Sequence, residues 1–396
     1  MQTTKRILYV HFGENWIRGS ERCLIDLLSH LDRSRFEPLV WTNSRALNDA
    51  VTQLKIESRC SEFSVLMGWQ PPKADVPAWL ALVQTARGII RSEAIDLVHV
   101  NSAAPCQWMI LAASLEQTPL VTQIHSDYQA RDRFTLALNL SPHIIAVSRA
   151  ITKNLLQDGF PDYRISVIPN GIDTDALQQQ QMVDVRQKLA LRPNDVIYVS
   201  VGSLIKRKGM DRLIAQFANL KRDDKRAKLV IVGGGEEHIT LTQQVHSMQL
   251  ETDVFLVGEQ PNSFGWMKGC DVFVSAARQE AFGLVLIEAA LAGLPVIAPD
   301  IDGIPEVVEH QQNGLLYDTT CEAELYAAML CVLQQPTYGQ QLAARGREKV
   351  LTQFTIQYNA QRIQQIYQRF IAQPVSSPAL HALFTPFKSY LQNKIA

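Results

Sequence analysis

The segment Arg278-Gln279-Glu280-Ala281-Phe282-Gly283-Leu284-Val285-Leu286-Ile287-Glu288-Ala289 follows a short apolar, β-rich run at 272–275 and leads into a helical stretch that stops near Gly293-Leu294-Pro295. This order of strand, loop and helix puts Glu280 in the loop and Gly283 at the opening of the helix. A helix start carries backbone N–H groups without intrahelical partners and the positive end of the peptide dipole. A diphosphate can therefore dock there, at the C-terminal edge of a sheet. Gly283 has no side chain and lets the backbone come close. Glu280 can then reach sugar hydroxyls, while Glu288, two turns into the helix, is placed for ribose hydroxyls. Two glutamates with seven residues between them are common by chance; two that bracket a strand–loop–helix junction containing Phe282-Gly283 are not.

The same alternation extends outward through the chain. Apolar runs at 6–10, 37–41, 97–100, 120–124, 143–147 and 165–168 are followed by a second series at 196–201, 228–232, 254–256, 272–275 and 295–298. Helical stretches such as 20–30, 79–91 and 210–220 lie between them. Steady alternation means parallel sheets covered on both faces, so the fold class is α/β with doubly wound, Rossmann-like sheets. A chain of 396 residues exceeds one ordinary core and calls for two such domains. The series breaks at 173–193, a polar, Gln-rich stretch between Asn170-Gly171 and Arg192-Pro193, and the interdomain linker is placed there. The expected division is 1–178 for the N-terminal domain, 179–370 for the C-terminal domain and 371–396 for a tail. A last amphipathic helix at 354–370 precedes the tail, which Gln373-Pro374 sets off from it.

The formal net charge of -1 lacks the basic excess of a dedicated nucleic-acid binder, so no nucleic-acid partner is expected. Cys23, Cys60, Cys106, Cys270, Cys321 and Cys331 are scattered, with no CxxC pair and no zinc spacing. They read as small residues in a reducing compartment, and no metal or cofactor is expected from them. The apolar run at 7–10 is too short for a signal-peptide core. Nothing approaches the roughly eighteen continuous apolar residues of a membrane span. The expected location is the cytoplasm, with peripheral contact at the inner face of the membrane left open.

The 278–289 segment resembles the E-x7-E signature of the retaining GT-B glycosyltransferases, in particular family 4 (group 1), which includes bacterial mannosyl-, glucosyl- and N-acetylglucosaminyltransferases. The resemblance runs from about residue 6 to about residue 370 and is most specific between Gly202 and Gly314. It implies two Rossmann-like domains facing a cleft, with the last helix crossing back towards the first domain. The N-terminal domain would meet the acceptor, and the C-terminal domain would hold a UDP or GDP sugar. Glu280 then contacts the donor sugar and Glu288 the ribose, with Phe282, Gly283 and Leu284 at the donor.

Val201-Gly202-Ser203-Leu204-Ile205-Lys206-Arg207-Lys208-Gly209 is similar to a family loop that has Gly-Arg-Leu at its start and Lys-Gly at its end. Lys208 matches one of the two cations that clamp the donor diphosphate. The arginine position holds Ser203, and Arg207 is the replacement for the missing charge. Charge building on a leaving diphosphate asks for about two cations, whichever residues bring them. Ile17-Arg18-Gly19-Ser20-Glu21-Arg22 is similar to the family's Gly-Gly-x-Glu loop, with Ser20 in place of the second glycine, and Gly19 allows close approach to donor or acceptor. His125, followed by Ser126-Asp127, stands where the family places a histidine that contacts the donor sugar.

The loops Val167-Ile168-Pro169-Asn170-Gly171, Asp302-Gly303-Ile304-Pro305 and Asn313-Gly314-Leu315-Leu316 match family signatures and read as structural turns. Val232-Gly233-Gly234-Gly235-Glu236-Glu237-His238 fails the dinucleotide fingerprint, because its sixth position is His238.

The resemblance implies a retaining, metal-independent hexosyltransferase of cell-surface polysaccharide synthesis. In it the leaving phosphate itself takes the acceptor proton, and Lys208, Arg207 and the helix start replace a metal. The expected acceptor is a glycan or lipid-linked glycan. It would meet the less regular stretches at 63–77, with Val65, Leu66, Met67 and Trp69 near lipid, and at 126–135, with Arg131 and Arg133 near phosphate. Two other readings are a UDP-sugar 2-epimerase of the same fold and a non-catalytic sugar-nucleotide-binding protein.

Overall fold

The computed structural model of the chain describes residues 4–68 and 74–373; Trp69 and residues 374–396 of the expected tail lie outside the described residues. The chain forms two compact units, Met1–Gly171 with Ile356–Ala396, and Ile172–Thr355.

The first unit is built on strands β1 (Lys5–His11), β2 (Phe36–Thr42), β3 (Glu57–Cys60), β4 (Leu97–Asn101), β5 (Leu120–Ile124), β6 (Ile144–Ala146) and β7 (Ile165–Val167). They make one parallel sheet in the order β3-β2-β1-β4-β5-β6-β7. Its register puts Ile7 beside both Pro38 and Leu97. The second unit uses β8 (Val196–Val201), β9 (Ala227–Val232), β10 (Val254–Leu256), β11 (Val272–Val274), β12 (Val296–Pro299) and β13 (Leu315–Tyr317), parallel throughout in the order β10-β9-β8-β11-β12-β13. In both units the first strand is central and the order reverses beside it, between β1 and β4 and between β8 and β11. Such reversals leave a crevice above the strand ends where the loops diverge, and ligands of open α/β sheets bind there.

The apolar runs read as central strands are buried on both faces, as Leu229, Val230 and Ile231 show at 0% exposure. Two edge strands escaped the reading. β3 is the polar Glu57-Ser58-Arg59-Cys60, and β13 is a three-residue strand inside a stretch read as a loop. β3 is an edge strand without an apolar run, whereas β13 is apolar but short and follows directly on Asn313-Gly314.

The boundary falls at Gly171/Ile172 and not after 178. The Gln-rich stretch is not a free linker: it carries helices at Thr174–Gln179 and Val185–Lys188. It is tied down by bonds from Val183 N–H to the Gly265 carbonyl (2.9 Å) and from Lys268 Nζ to the Gln180 carbonyl (2.8 Å). Polar composition marked a surface strap. The last helix, Ile356–Ile371, belongs to the N-terminal unit. Ala360, Ile363 and Tyr367 enter the core around β1, and Asn359 Nδ2 donates to the Pro169 carbonyl at 2.6 Å.

Candidate active site

In the second unit the loops after β8, β9 and β11 meet over the β8/β11 reversal. Gly209 closes the β8 loop at φ 68°, and a Cβ there would lie 1.8 Å from the Ala276 carbonyl oxygen, so only glycine fits. Arg278 N–H donates to the Arg207 carbonyl at 2.7 Å, and Leu204 N–H to that of Gly234 at 2.9 Å. The triple-glycine turn rejected as a dinucleotide motif therefore serves as a backbone support for the β8 loop.

This packing brings Lys208 and Glu280 together. Lys208 Nζ lies 2.5 Å from Glu280 Oε2, both side chains being mostly buried. The Glu280 peptide is fixed by the 302–303 turn: its N–H donates to Asp302 Oδ2 at 3.0 Å, and its carbonyl accepts from Gly303 N–H at 3.1 Å. Arg207 is exposed and donates through Nη1 to the Gln279 carbonyl at 3.0 Å, one residue before Glu280. Ser203 is half-buried, and its carbonyl accepts from Ile205 N–H. Gly283, at φ 97°, caps the helix Leu284–Leu291, and Glu288 is half-buried on that helix. What Phe282 offers a ligand is its backbone, because its ring is buried edge-on against Phe354 at 5.7 Å.

Sequence reasoning missed the groups that hold the two loops in register. Arg278 grips Asp211 through both terminal nitrogens, at 2.7 and 2.8 Å, and its Nη1 also donates to the Lys206 carbonyl at 2.8 Å. Burial pushes the Asp211 carboxyl upward, but the hydrogen bonds from Arg278 and Lys206 outweigh it and hold Asp211 well below the usual carboxylate range. Arg278 stood inside the quoted segment and Asp211 three residues past Lys208, yet nothing in their spacing shows that they meet.

In the first unit, the β1/β4 reversal carries a polar cluster. His11 Nε2 lies 2.9 Å from Glu21 Oε1, both side chains being buried, and His11 Nδ1 lies 2.6 Å from the Asn101 carbonyl oxygen. The Asn101 side chain bridges His11 Nδ1 and His125 Nε2, each at 2.9 Å. Gly13 leans on this cluster, and a Cβ there would sit 2.6 Å from His11 Nε2. Gly19 is the exposed first residue of the helix Gly19–Ser29, two places before Glu21. Burial, with His11 close by, pushes the His125 pKa down to about 4.

The structure gives Arg133 a different task from the expected acceptor contact. Its guanidinium is buried, bonded to both Asp158 oxygens at 2.5 and 3.0 Å and to the Tyr128 carbonyl at 2.5 Å, which leaves it no face for a phosphate. Arg131 is exposed and donates to the Met67 carbonyl at 2.9 Å. In the stretch expected near lipid, Phe63 packs on Trp41 and Trp108, while Met67 is 53% exposed. Among the described residues no helix is long and apolar enough to cross a membrane, and no group of three or more His, Cys, Asp or Glu is placed to hold a metal ion.

Two family models match in tandem: Glycosyltransferase Family 4 over residues 17–176 and Glycosyl transferases group 1 over residues 182–349. Among curated proteins, the N-acetyl-alpha-D-glucosaminyl L-malate synthase of Bacillus anthracis is 25% identical over 302 residues, covering 74% of this chain and 79% of that one. The D-inositol 3-phosphate glycosyltransferase of Jonesia denitrificans is 26% identical over 334 residues, covering 75% and 78%. Among solved structures, Anabaena HepE in complex with UDP and glucose superposes with a TM-score of 0.77 at 24% identity, over 91% of this chain and 99% of that one. The chain belongs to the group 1, family 4 type of glycosyltransferases and has the GT-B fold. It is a transferase that uses nucleotide sugars.

Proposed function

We propose that the chain is a retaining, metal-independent hexosyltransferase. It takes its hexosyl unit from a UDP or GDP sugar and passes it to a glycan or lipid-linked glycan in cell-surface polysaccharide synthesis. The observation that carries this reading is the Lys208–Glu280 pair, 2.5 Å apart above the β8/β11 reversal and beside the helix start at Gly283. A diphosphate at that helix start meets the dipole end, Lys208 and Arg207, which together stabilise charge on the leaving group. Freed from Lys208, Glu280 turns to the sugar hydroxyls, and Glu288 faces the ribose. The leaving phosphate takes the acceptor proton, so no side chain acts as base. UDP leads the nucleotide choice, because HepE is described in complex with UDP and with UDP-glucose.

The acceptor is assigned to the N-terminal unit, with Arg131 and Met67 as contacts at the inner face of the membrane. Incubating the protein with UDP, GDP and ADP sugars, with and without a chelator, tests the donor side. Acceptor-dependent release of one nucleoside diphosphate, unaffected by the chelator and with the anomeric configuration kept, is the expected result. Epimerised sugar without acceptor, or no nucleotide binding at all, overturns it.

A further inference from the structure

The turn Asp302-Gly303, which the sequence marks as structural, holds the loop that carries Glu280 and is itself fastened on both sides. Asp300 N–H donates to the Tyr317 carbonyl on β13 at 2.9 Å, and the short helix Ile304–Val307 that follows buries Ile304 completely. Within the turn the left-handed conformation does not fall on the glycine. Gly303 has an ordinary φ of -85°, whereas Asp302 stands at φ 46°. Glycine adopts left-handed backbone freely, and every residue with a Cβ is strained there, aspartate less than most. A glycine at 302 would therefore make the same turn without strain, yet the chain keeps a side chain at this point.

That side chain is directed at Glu280. Asp302 Oδ2 accepts the Glu280 N–H at 3.0 Å, and Gly303 N–H donates to the Glu280 carbonyl at 3.1 Å, so one turn grips Glu280 by both its N–H and its C=O. Asp302 is exposed, so core packing does not account for it. We infer that Asp302 is a positioning residue for sugar transfer: its strained backbone sets a carboxylate against the Glu280 peptide and so fixes the direction in which the Glu280 side chain leaves the loop. From that peptide Glu280 Oε2 comes to 2.5 Å from Lys208 Nζ, beside the helix start at Gly283. A carboxylate acceptor makes a stronger bond to N–H than a neutral one, and a reacting group is useful only when the backbone beneath it is held. Strain retained beside a site is explained when the strained residue aims something, and here it aims Glu280.

This inference rests on the proposed contact between Glu280 and the donor sugar, and its test needs no acceptor. Calorimetry on the full-length protein compares UDP-glucose, UDP-N-acetylglucosamine and GDP-mannose with UDP and GDP. The sugar that adds most affinity over its free nucleotide is then carried through the variants. Asp302→Asn keeps an oxygen acceptor and tolerates the left-handed backbone, so it should keep the added affinity within about twofold. Asp302→Gly relieves the strain and Asp302→Ala keeps it, but both lack the acceptor. Both should lose about five- to tenfold of the added affinity while binding the free nucleotide as the wild type does. Urea midpoints should rank Asp302→Gly at or above Asp302→Ala, so a merely structural turn would be spared by glycine. Added affinity kept in Asp302→Gly, or lost equally in Asp302→Asn, overturns the inference and leaves the proposed transferase activity standing. Glu280→Gln should lose the same added affinity. If it does not, the contact between Glu280 and sugar falls instead, and a wild type that gains nothing from any of these sugars overturns both.

Discussion

Lys208 Nζ and Glu280 Oε2 stand 2.5 Å apart, so the cation assigned to the donor diphosphate is paired with the carboxylate assigned to the donor sugar. In the proposed donor complex a phosphate would replace the carboxylate at Lys208. Glu280→Gln is therefore expected to act in opposite directions on two measurements. Sugar transfer falls by about a hundredfold or more. Calorimetric affinity for the nucleoside diphosphate alone rises by about two- to fivefold, the worth of a partly exposed ion pair no longer competing for Lys208. Lys208→Met loses both. Weaker diphosphate binding in Glu280→Gln would refute the competition.

Asp211 and Arg278 clamp the loop that delivers Lys208, and the clamp has a pH signature. The Asp211 carboxyl is held below its ordinary value of 3.8, so its contribution to stability is present above that value and is lost as pH falls through the lower folded one. Asp211→Asn should cost about 1–2 kcal/mol at pH 7, kept modest because the pair is about a quarter to a third exposed. It should also flatten the urea midpoint below pH 3.8 relative to wild type. A parallel shift at every pH would assign the loss to something other than this carboxylate.

Arg133 and Arg131 looked alike in the sequence, two basic residues in one irregular stretch. The structure predicts that they differ. Arg133→Met strands the buried Asp158 carboxylate and should lower stability by about 3–5 kcal/mol. Arg131→Ala should stay within about 0.5 kcal/mol of wild type, because its guanidinium is exposed. Chemical denaturation of both, beside transfer assays with lipid-linked and water-soluble glycans, separates packing from acceptor binding. Equal destabilisation by the two substitutions contradicts the assignment.

The fold was legible wherever burial on both faces wrote an apolar run into the chain. β5 and β8 lie where the runs at 120–124 and 196–201 put them. β3 was not legible because this edge strand is polar, and β13 was hidden because its three residues follow directly on the Asn313-Gly314 turn signal. At the candidate site, Glu280 and Lys208 were found through motifs local to one loop each. Asp302 below the Glu280 peptide, Arg278 against Asp211, and Asn101 between His11 and His125 join loops that are distant in sequence, and single-chain spacing carries no record of such meetings. The misreadings have the same source. Arg133 has the residue type of a phosphate ligand, and only its position beside Asp158 makes it a strut.

The returning helix Ile356–Ile371 supplies a last test, through Tyr367. Its hydroxyl lies 2.5 Å from His99 Nδ1 on β4, and both side chains are fully buried. Burial, with His125 nearby, holds His99 down to about 3, so the folded chain refuses a proton that the unfolded chain accepts below the ordinary value of 6.5. The stability owed to a neutral His99 is thus complete above pH 6.5 and drains away as pH falls toward about 3. His125 and His143, each held to about 4, add to the same slope. His99→Gln removes one of the three titrations and should make the loss of stability with acid shallower in that window. Tyr367→Phe leaves His99 in place but takes away its partner, so it should cost about 1–3 kcal/mol at neutral pH while diphosphate affinity is unchanged. Denaturant midpoints across the pH range decide both points, and an acid slope as steep in His99→Gln as in wild type counts against a neutral, buried His99.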